Sequence, residues 1–85
     1  LLEGVPGGIK LAEVRAAITA TPGVAGVHDL HVWSMTTEEV SCTAHVTLAE
    51  AADSDSVRKA VAGTLDERFG IEHTTIQTEG PTEAC

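Results

Sequence analysis

Hydrophobic residues recur along this chain at two spacings, one typical of helices and one typical of strands. Helical spacing predicts a first helix over residues 9–21, which Pro22-Gly23 ends. It predicts a second helix between the cap candidates Asp53-Ser54-Asp55 and Gly70. The apolar stripes of these two helices are Leu11, Val14 and Ile18 in the first, and Val57, Val61, Leu65 and Phe69 in the second.

Alternation of apolar and polar residues predicts three strands, over residues 24–34, 40–49 and 71–79. Residues 36–39 form the turn between the first two, and Gly26 predicts an irregularity in the first. The second strand has an apolar face that is expected to pack in the core. Its apolar positions are Val40, Cys42, Ala44, Val46 and Leu48, and its polar positions are Ser41, Thr43, His45 and Thr47.

The predicted order α-β-β-α-β is typical of a ferredoxin-like α+β layer, in which two helices cover one face of a three-stranded sheet. The crossover from the second strand to the third is expected to be right-handed and to place these strands parallel or next-but-one. The other face would carry His45 and the Thr residues, and it would remain available for a ligand or another subunit.

The length predicts one small domain, residues 1–85, whose stability would benefit from a metal or a partner subunit. Residues 1–8 are expected to be a linker and residues 80–85 a short tail. No stretch reaches the roughly 18–20 apolar residues of a membrane span, and no signal peptide is evident. The chain begins without Met, so we expect a piece of a longer protein.

The net charge of the chain limits the classes of partner that it is expected to bind. Five Lys and Arg face 13 Asp and Glu, for a formal net charge of -8. This balance argues against nucleic acid and against docking on an anionic membrane surface, and it favours cations as ligands. Cys42 and Cys85 are too few for a disulfide framework, so a reducing compartment is expected. Cys42 lies on an apolar strand face and is expected in the core.

The segment from His28 to Trp33 holds two imidazoles, a carboxylate and the only Trp of the chain. Together with His45 and His73 it indicates a divalent metal, with zinc first, because imidazole nitrogen and carboxylate oxygen are common zinc ligands. Even spacing puts His73 and Glu79 on one side of the third strand. If that side is the uncovered one, His45 and Glu79 can converge on one ion.

Three residues in this segment also have an ordinary structural interpretation. The direction in which the His28 side chain points stays open. Its spacing of two from Leu30, and of four from Val32, would put it on their side of the strand, whereas a nearby bulge could rotate it to either face. Asp29 is more typical of a loop or strand-edge carboxylate than of a ligand. It is also not expected to form a triad with His28 and His31, because adjacent strand residues point apart. Trp33 either packs in the core or lies in an interface.

Catalysis is not expected, so the sequence does not indicate an enzyme. It has no serine in a nucleophile elbow, no Gly-rich phosphate loop before a helix and no His-Glu-x-x-His helix.

The string from Pro22 to Trp33, Pro-Gly-Val-Ala-Gly-Val-His-Asp-Leu-His-Val-Trp, resembles the cytosolic C-terminal domain of cation diffusion facilitators, the zinc transporter family. Residues 2–6, the strand around His45 and the closing residues 73–79 are similar to the same family, so the resemblance covers essentially the whole chain. It implies a metallochaperone-like fold that forms a homodimer at the cytoplasmic face of the membrane. There it would be tethered to a transmembrane antiporter that exports Zn²⁺ or a similar ion against protons.

The resemblance also implies which residues bind metal near the dimer interface. His28, His45 and Glu79 match ligand positions of the family, whereas Gln77 and Arg58 stand where some members carry His. The site would therefore be completed differently from the two-metal site of such members.

His73 or Cys85 would supply the missing ligand, and Trp33 would lie near the dimer contact. Zn²⁺ is the expected ion, with Cd, Co, Ni, Fe and Mn as other divalent candidates. Metal binding is expected to be lost below about pH 6, as imidazoles protonate.

Two rival functions fit the same fold. One is a metal-free dimerisation domain whose histidines are structural, which zinc would not stabilise against heat. The other is a regulatory domain that senses a small molecule such as an amino acid and does not respond to zinc. A soluble metallochaperone usually carries a Cys-x-x-Cys loop, and this chain has none.

Overall fold

The computed structural model describes residues 8–34 and 39–81 of the chain. Its elements follow the order α-β-β-α-β, which confirms the predicted α+β fold. They are helix α1 (Leu11–Thr19), strand β1 (Val24–Ser34), strand β2 (Val40–Leu48), helix α2 (Ser54–Phe69) and strand β3 (His73–Glu79). The predicted linker up to residue 7, most of the predicted turn and residues 82–85 of the predicted tail lie outside the described residues.

Most predicted boundaries agree with the structure within one or two residues, and the start of β3 shows why one differs. The strand was expected from residue 71 but begins at His73. Gly70 ends α2 in the left-handed conformation, with a φ of 69°. The backbone N–H of Gly70 donates to the Asp66 carbonyl at 3.0 Å, which is the pattern of an αL cap, and the N–H of Ile71 donates to the Leu65 carbonyl at 3.1 Å. Ile71 therefore completes the helix end before the strand can start.

The three strands form one sheet in the order β1-β2-β3. β1 and β2 pair antiparallel, and β2 and β3 pair parallel, as a crossover through α2 requires. The strand residues in the core all belong to one face of the sheet, and both helices pack on that face. The core comprises Val14, Ile18, Leu30, Val32, Cys42, Ala44, Val46, Val57, Val61, Leu65 and Ile71.

β1 carries two bulges, and they decide which side chains reach the other face of the sheet. Its 11 residues span the same ladder as the nine residues of β2, so β1 has 11 − 9 = 2 extra residues. One interruption lies between Val24 and Gly26, and the other between His28 and His31. The irregularity expected at Gly26 is therefore confirmed, while the second one was not expected from the sequence.

The second bulge changes which alternate residues of β1 face the core and which face the other side of the sheet. His28 lies opposite His45, His31 opposite Thr43 and Trp33 opposite Ser41. These partners are the polar positions of β2, whose remaining residues face the core. Consequently His28, His31 and Trp33 share the sheet face that the helices leave uncovered, called here the open face.

The N-terminus of α2 is fixed close to the end of β3. Asp53 caps the helix, since its Oδ2 accepts from the Ser56 backbone N–H at 2.9 Å. This hydrogen bond lowers the pKa of the Asp53 carboxyl. The hydroxyls of Ser54 and Thr78 lie 2.7 Å apart, which joins the first turn of α2 to the last residues of β3.

Cys42 is a core residue, as expected, with 1% of its surface exposed. Burial raises the pKa of its thiol to about 11, so the thiol stays protonated at neutral pH. Because the thiolate is the form that binds metals, Cys42 contributes packing rather than a metal ligand.

Neither α1 nor α2 has the length and apolar character needed to cross a bilayer, and no other helix occurs in the described ranges.

Gly23 should be indispensable in the turn between α1 and β1. Its φ is 91°, and a Cβ there would lie 2.7 Å from Cγ2 of Val57. We expect Gly23→Ala to lower the free energy of unfolding by about 1–3 kcal/mol or more, from the left-handed backbone and the overlap. Urea denaturation in the presence of a chelator, at one protein concentration, measures the change.

Gly63→Ala is the matched control, because it is the same substitution in the middle of α2. A Cβ at Gly63 would have no neighbour within 4 Å. We expect a gain of about 0.5–1 kcal/mol from the better helix propensity of Ala. Equal effects of the two substitutions would contradict the geometry described for Gly23.

Candidate metal centre

One carboxylate, that of Glu79, lies between two imidazoles at the last residue of β3. Its Oε1 is 2.9 Å from Nε2 of His28, and its Oε2 is 3.2 Å from Nδ1 of His45. Only 10% of the Glu79 side chain is exposed, against 34% for His28 and 29% for His45. An ionised carboxylate only accepts hydrogen bonds, so the 2.9 Å contact is a hydrogen bond in the tautomer of His28 that carries its proton on Nε2.

Each strand of the sheet contributes one member of this cluster. His28 and His45 are directly opposite each other on β1 and β2. On β3, Gln77 lies opposite His45, and Glu79 lies opposite Thr47, one same-face position further along. The Glu79 side chain therefore reaches diagonally towards the two imidazoles, whose ring centroids are 5.1 Å apart at 78° between planes.

Asp29 also belongs to the cluster, although the sequence favoured an ordinary carboxylate at this position. Its Oδ2 lies 3.7 Å from Nδ1 of His45 and 4.0 Å from Nδ1 of His28. Adjacent residues point apart only in a regular strand, and Asp29 has a φ of 51° inside the second bulge. This left-handed backbone turns its carboxylate towards His28 and His45 on the open face.

A signal for Asp29 was present in the sequence. Asp is one of the few residues besides Gly that tolerate a positive φ, and here it follows His28 and precedes Leu30. Leu30 is buried and His28 is half-buried on the opposite face, although their spacing of two predicts the same side. Regular alternation would put this imidazole on the core side of the strand, so its polar character indicates that the strand has a bulge here.

The donor atoms have the chemistry and the spacing of a zinc shell. Ligand atoms of His28, Asp29 and His45 all lie within 4.8 Å of one another. Zinc bonds of about 2.0–2.2 Å in tetrahedral geometry place neighbouring ligand atoms about 3.3–3.6 Å apart. The observed nitrogen–oxygen distances run from 2.9 Å for Glu79 to 4.0 Å for Asp29, on either side of that range. The residues therefore fit a divalent ion bound by nitrogen and oxygen.

The tautomer of His28 couples the two carboxylates. Its Nε2 faces Glu79 and its Nδ1 faces Asp29, so a neutral ring can place its single proton towards either one. With the proton on Nδ1, facing Asp29, Nε2 has a free lone pair for a metal. Metal-binding histidines commonly donate their second N–H to a carboxylate in this way.

Three other predicted site residues lie elsewhere or outside the described part of the chain. His73 is the first residue of β3, opposite Ser41. It is six positions from Glu79, which is about 20 Å along a strand, so the structure does not bring His73 to the cluster. Cys85 is outside the described residues. Trp33 is half-buried on the open face, also opposite Ser41, at the end of the sheet where His73 lies.

Comparison with known proteins shows extensive similarity. A family whose description is "Cation efflux protein, cytoplasmic domain" matches residues 6–81. The human proton-coupled zinc antiporter SLC30A8 is 41% identical over 83 residues, which are 98% of this chain and 22% of that protein. The metal cation efflux system protein CzcD of Cupriavidus metallidurans is 45% identical over 80 residues, 93% of this chain and 25% of that protein. The chain thus spans about a quarter or less of these relatives.

Solved structures agree with these similarities. The metal-bound C-terminal domain of the CzcD transporter superposes with a TM-score of 0.78 at 42% identity, covering 84% of this chain and 99% of that one. A manganese form of the MamM CTD superposes with a TM-score of 0.70 at 15% identity, covering 81% of this chain and 91% of that one. The second likeness supports the fold alone.

Asp29 allows a test that separates its backbone role from its charge. Asn tolerates the left-handed conformation, so we expect Asp29→Asn to change the free energy of unfolding by no more than about 0.5 kcal/mol. Loss of the carboxylate should weaken zinc binding by about 10–100-fold. Urea denaturation and calorimetric titration with zinc measure the two effects.

Asp66→Asn is the control for net charge, because Asp66 is exposed on α2. It should leave zinc affinity unchanged. If Asp29→Asn bound zinc as tightly as the unaltered protein, Asp29 would have no role at the centre.

Proposed function

The chain belongs to the family of cytoplasmic domains of cation efflux proteins, and we propose that it is the regulatory metal-binding and dimerisation domain of a proton-coupled zinc efflux transporter. This family comprises transporter domains rather than enzymes. The metal and antiport activity named for its relatives describe whole proteins, of which this chain spans a quarter or less. Zinc specificity, proton coupling, tethering to a membrane part and dimer formation are therefore elements of the proposal.

The observation that carries the proposal is the carboxylate of Glu79 between His28 and His45. Three strands bring these side chains together with Asp29 at one end of the open face. We propose that His28, His45 and Glu79 bind Zn²⁺, with Asp29 as an additional ligand or as the carboxylate that orients an imidazole. Cd, Co, Ni, Fe and Mn are other divalent ions that such donors accept.

The negative charge of the domain connects metal binding to the proposed regulation. Two carboxylates meet at the centre, and the whole domain has a formal net charge of -8, so two copies repel each other. A bound dication supplies positive charge that offsets this repulsion. Metal then favours the closed pair of domains only to the extent that the closed pair binds it more tightly. A coupling of about 1–3 kcal/mol is typical of such regulation.

The open face is the proposed surface for the second copy. Both helices pack on the other face, and the open face carries the half-buried Trp33 as well as the centre. Completion of the metal shell by water, by His73 or by Cys85 belongs to the same proposal. Within one chain, His73 is about 20 Å from Glu79, so it could contribute only from the partner subunit.

Zinc titration of the unaltered protein, His45→Ala and His73→Ala tests the centre. We expect zinc to raise the free energy of unfolding by mass action, by about 2.7 kcal/mol at a hundredfold excess over Kd. His45→Ala should largely lose this gain, because it removes a nitrogen 3.2 Å from Glu79. At protein concentrations where the chain is monomeric, His73→Ala should keep this gain, because His73 lies about 20 Å from Glu79 within one chain. Thermal unfolding and calorimetry provide the measurements.

The outcomes of that titration also separate the alternatives. Unchanged zinc affinity in His45→Ala would remove His45 from the site. No zinc effect on the unaltered protein would favour a metal-free dimerisation domain, and stabilisation by amino acids alone would indicate a small-molecule sensor. Zinc affinity should fall steeply between about pH 7.5 and about pH 5.5, because protons compete for imidazole nitrogen; a flat profile would contradict imidazole ligation.

Dimer formation has its own test. Sedimentation equilibrium with zinc and with a chelator should show two chains per particle, and a smaller dimer dissociation constant when zinc is present. Trp33→Ala should weaken the dimer without weakening zinc binding by the monomer. A strict monomer at high concentration in zinc would overturn the dimerisation part of the proposal.

A further inference from the structure

A groove on the open face begins at the metal centre and runs along the sheet. Asp29 and His45, which belong to the centre, line one part of it. Its other walls include His31 and Gln77, which lie outside the cluster of contacts described above. His31 is thus an imidazole beside the centre to which the proposed function assigns no role.

The second bulge of β1 places His31 in this groove. His31 lies opposite Thr43, and His28 lies opposite His45, so the two imidazoles of β1 are one same-face position apart. That separation is about 7 Å along the sheet. His31 is exposed, and its side chain makes no hydrogen bond to another side chain within residues 8–34 and 39–81.

His31 is not a member of the preformed cluster. In the part of the chain that the structure describes, the compact group of ligand atoms consists of His28, Asp29 and His45. Glu79 contacts His28 and His45 from the buried side. For His31 to be a permanent ligand, the side chains of the cluster would have to rearrange. A role beside the centre requires no rearrangement.

Exposure of the cluster indicates the side from which an ion arrives. The exposed fraction of the side chain rises from 10% for Glu79 to 29% for His45 and 60% for Asp29. The last two line the groove, so the groove is the approach to the centre. His31 lines the same groove and is more exposed than the Glu79 carboxylate, which lies on the buried side of the centre.

On the basis of the function proposed above, we propose that His31 is an entry ligand for the metal centre. Its exposed nitrogen replaces one water of an incoming divalent ion and holds the ion in the groove. Asp29 and His45 then displace the His31 nitrogen as the ion moves into the centre. On release, His31 displaces one of these ligands and water finally displaces His31, so each step exchanges one ligand for another.

An intermediate of this kind changes rates without changing the equilibrium. Since His31 binds the ion only in transit, its removal raises the barrier in both directions and leaves the bound and free states unaltered. The association and dissociation rate constants therefore fall by the same factor, and their ratio, Kd, is preserved. A resident ligand behaves differently, because its loss speeds dissociation and weakens binding.

Stopped-flow measurements on the full chain can detect this pattern. Association is followed with zinc and a fluorescent zinc chelator as competitor, and dissociation with an excess of chelator. We expect both rate constants of His31→Ala to fall by at least about threefold, with Kd from calorimetry unchanged. His31→Gln, which keeps a polar side chain of similar reach but a poor zinc donor, should match His31→Ala.

Thr75→Ala is the matched control, because it shortens another exposed side chain that lines the same groove and carries no imidazole. Its rates should equal those of the unaltered protein. Unchanged rates in His31→Ala, an equal slowing in Thr75→Ala, or faster dissociation with weaker affinity in His31→Ala would each overturn the proposal. Absence of equilibrium zinc binding by the unaltered protein would overturn the proposed function as well, whereas tight binding with unaffected rates would overturn the entry ligand alone.

Discussion

The contact between the Glu79 carboxylate and the two imidazoles of His28 and His45 is the interaction on which the centre depends. Burying a carboxylate is costly unless its oxygens find donors, and here each oxygen faces a ring nitrogen. In the described residues no buried side-chain nitrogen or oxygen lacks a partner. The contact ties the end of β3 to the antiparallel pair β1–β2, and it holds the donor atoms close together before any metal binds.

That contact exists only because β1 is irregular. Between His28 and His31 one extra residue reverses the parity, so an imidazole that would share the core with Leu30 instead faces His45. Asp29 supplies the necessary left-handed backbone and, from the same position, a second carboxylate for the centre. The bulge therefore turns His28 to the open face, presents Asp29 to solvent and places His31 in the groove. Bulges near functional sites often re-aim side chains in this manner.

In the proposed function, the acidity of the chain connects the metal centre to the pairing of two domains. A formal net charge of -8 favours cations as ligands and opposes association of two copies, and a metal bound at the open face would act on both. Imidazole and carboxylate donors would also make metal binding depend on pH. The proposed regulation follows from this arrangement, since an ion that binds better between closed domains shifts them towards closure.

The order α-β-β-α-β, the buried stripes of both helices, the cap at Asp53 and the polar face of β2 could all be predicted from the sequence. These features depend on periodicity and on local chemistry, which a chain displays without its tertiary contacts. The expectation that His28, His45 and Glu79 bind a metal likewise needed no tertiary structure, because it came from residue type and family resemblance. The direction of His28, the membership of Asp29 and the distance of His73 from the centre were decided by the tertiary structure alone. Each depends on strand register, and register is set by how two strands pair across the sheet, where one extra residue moves every following side chain to the other face.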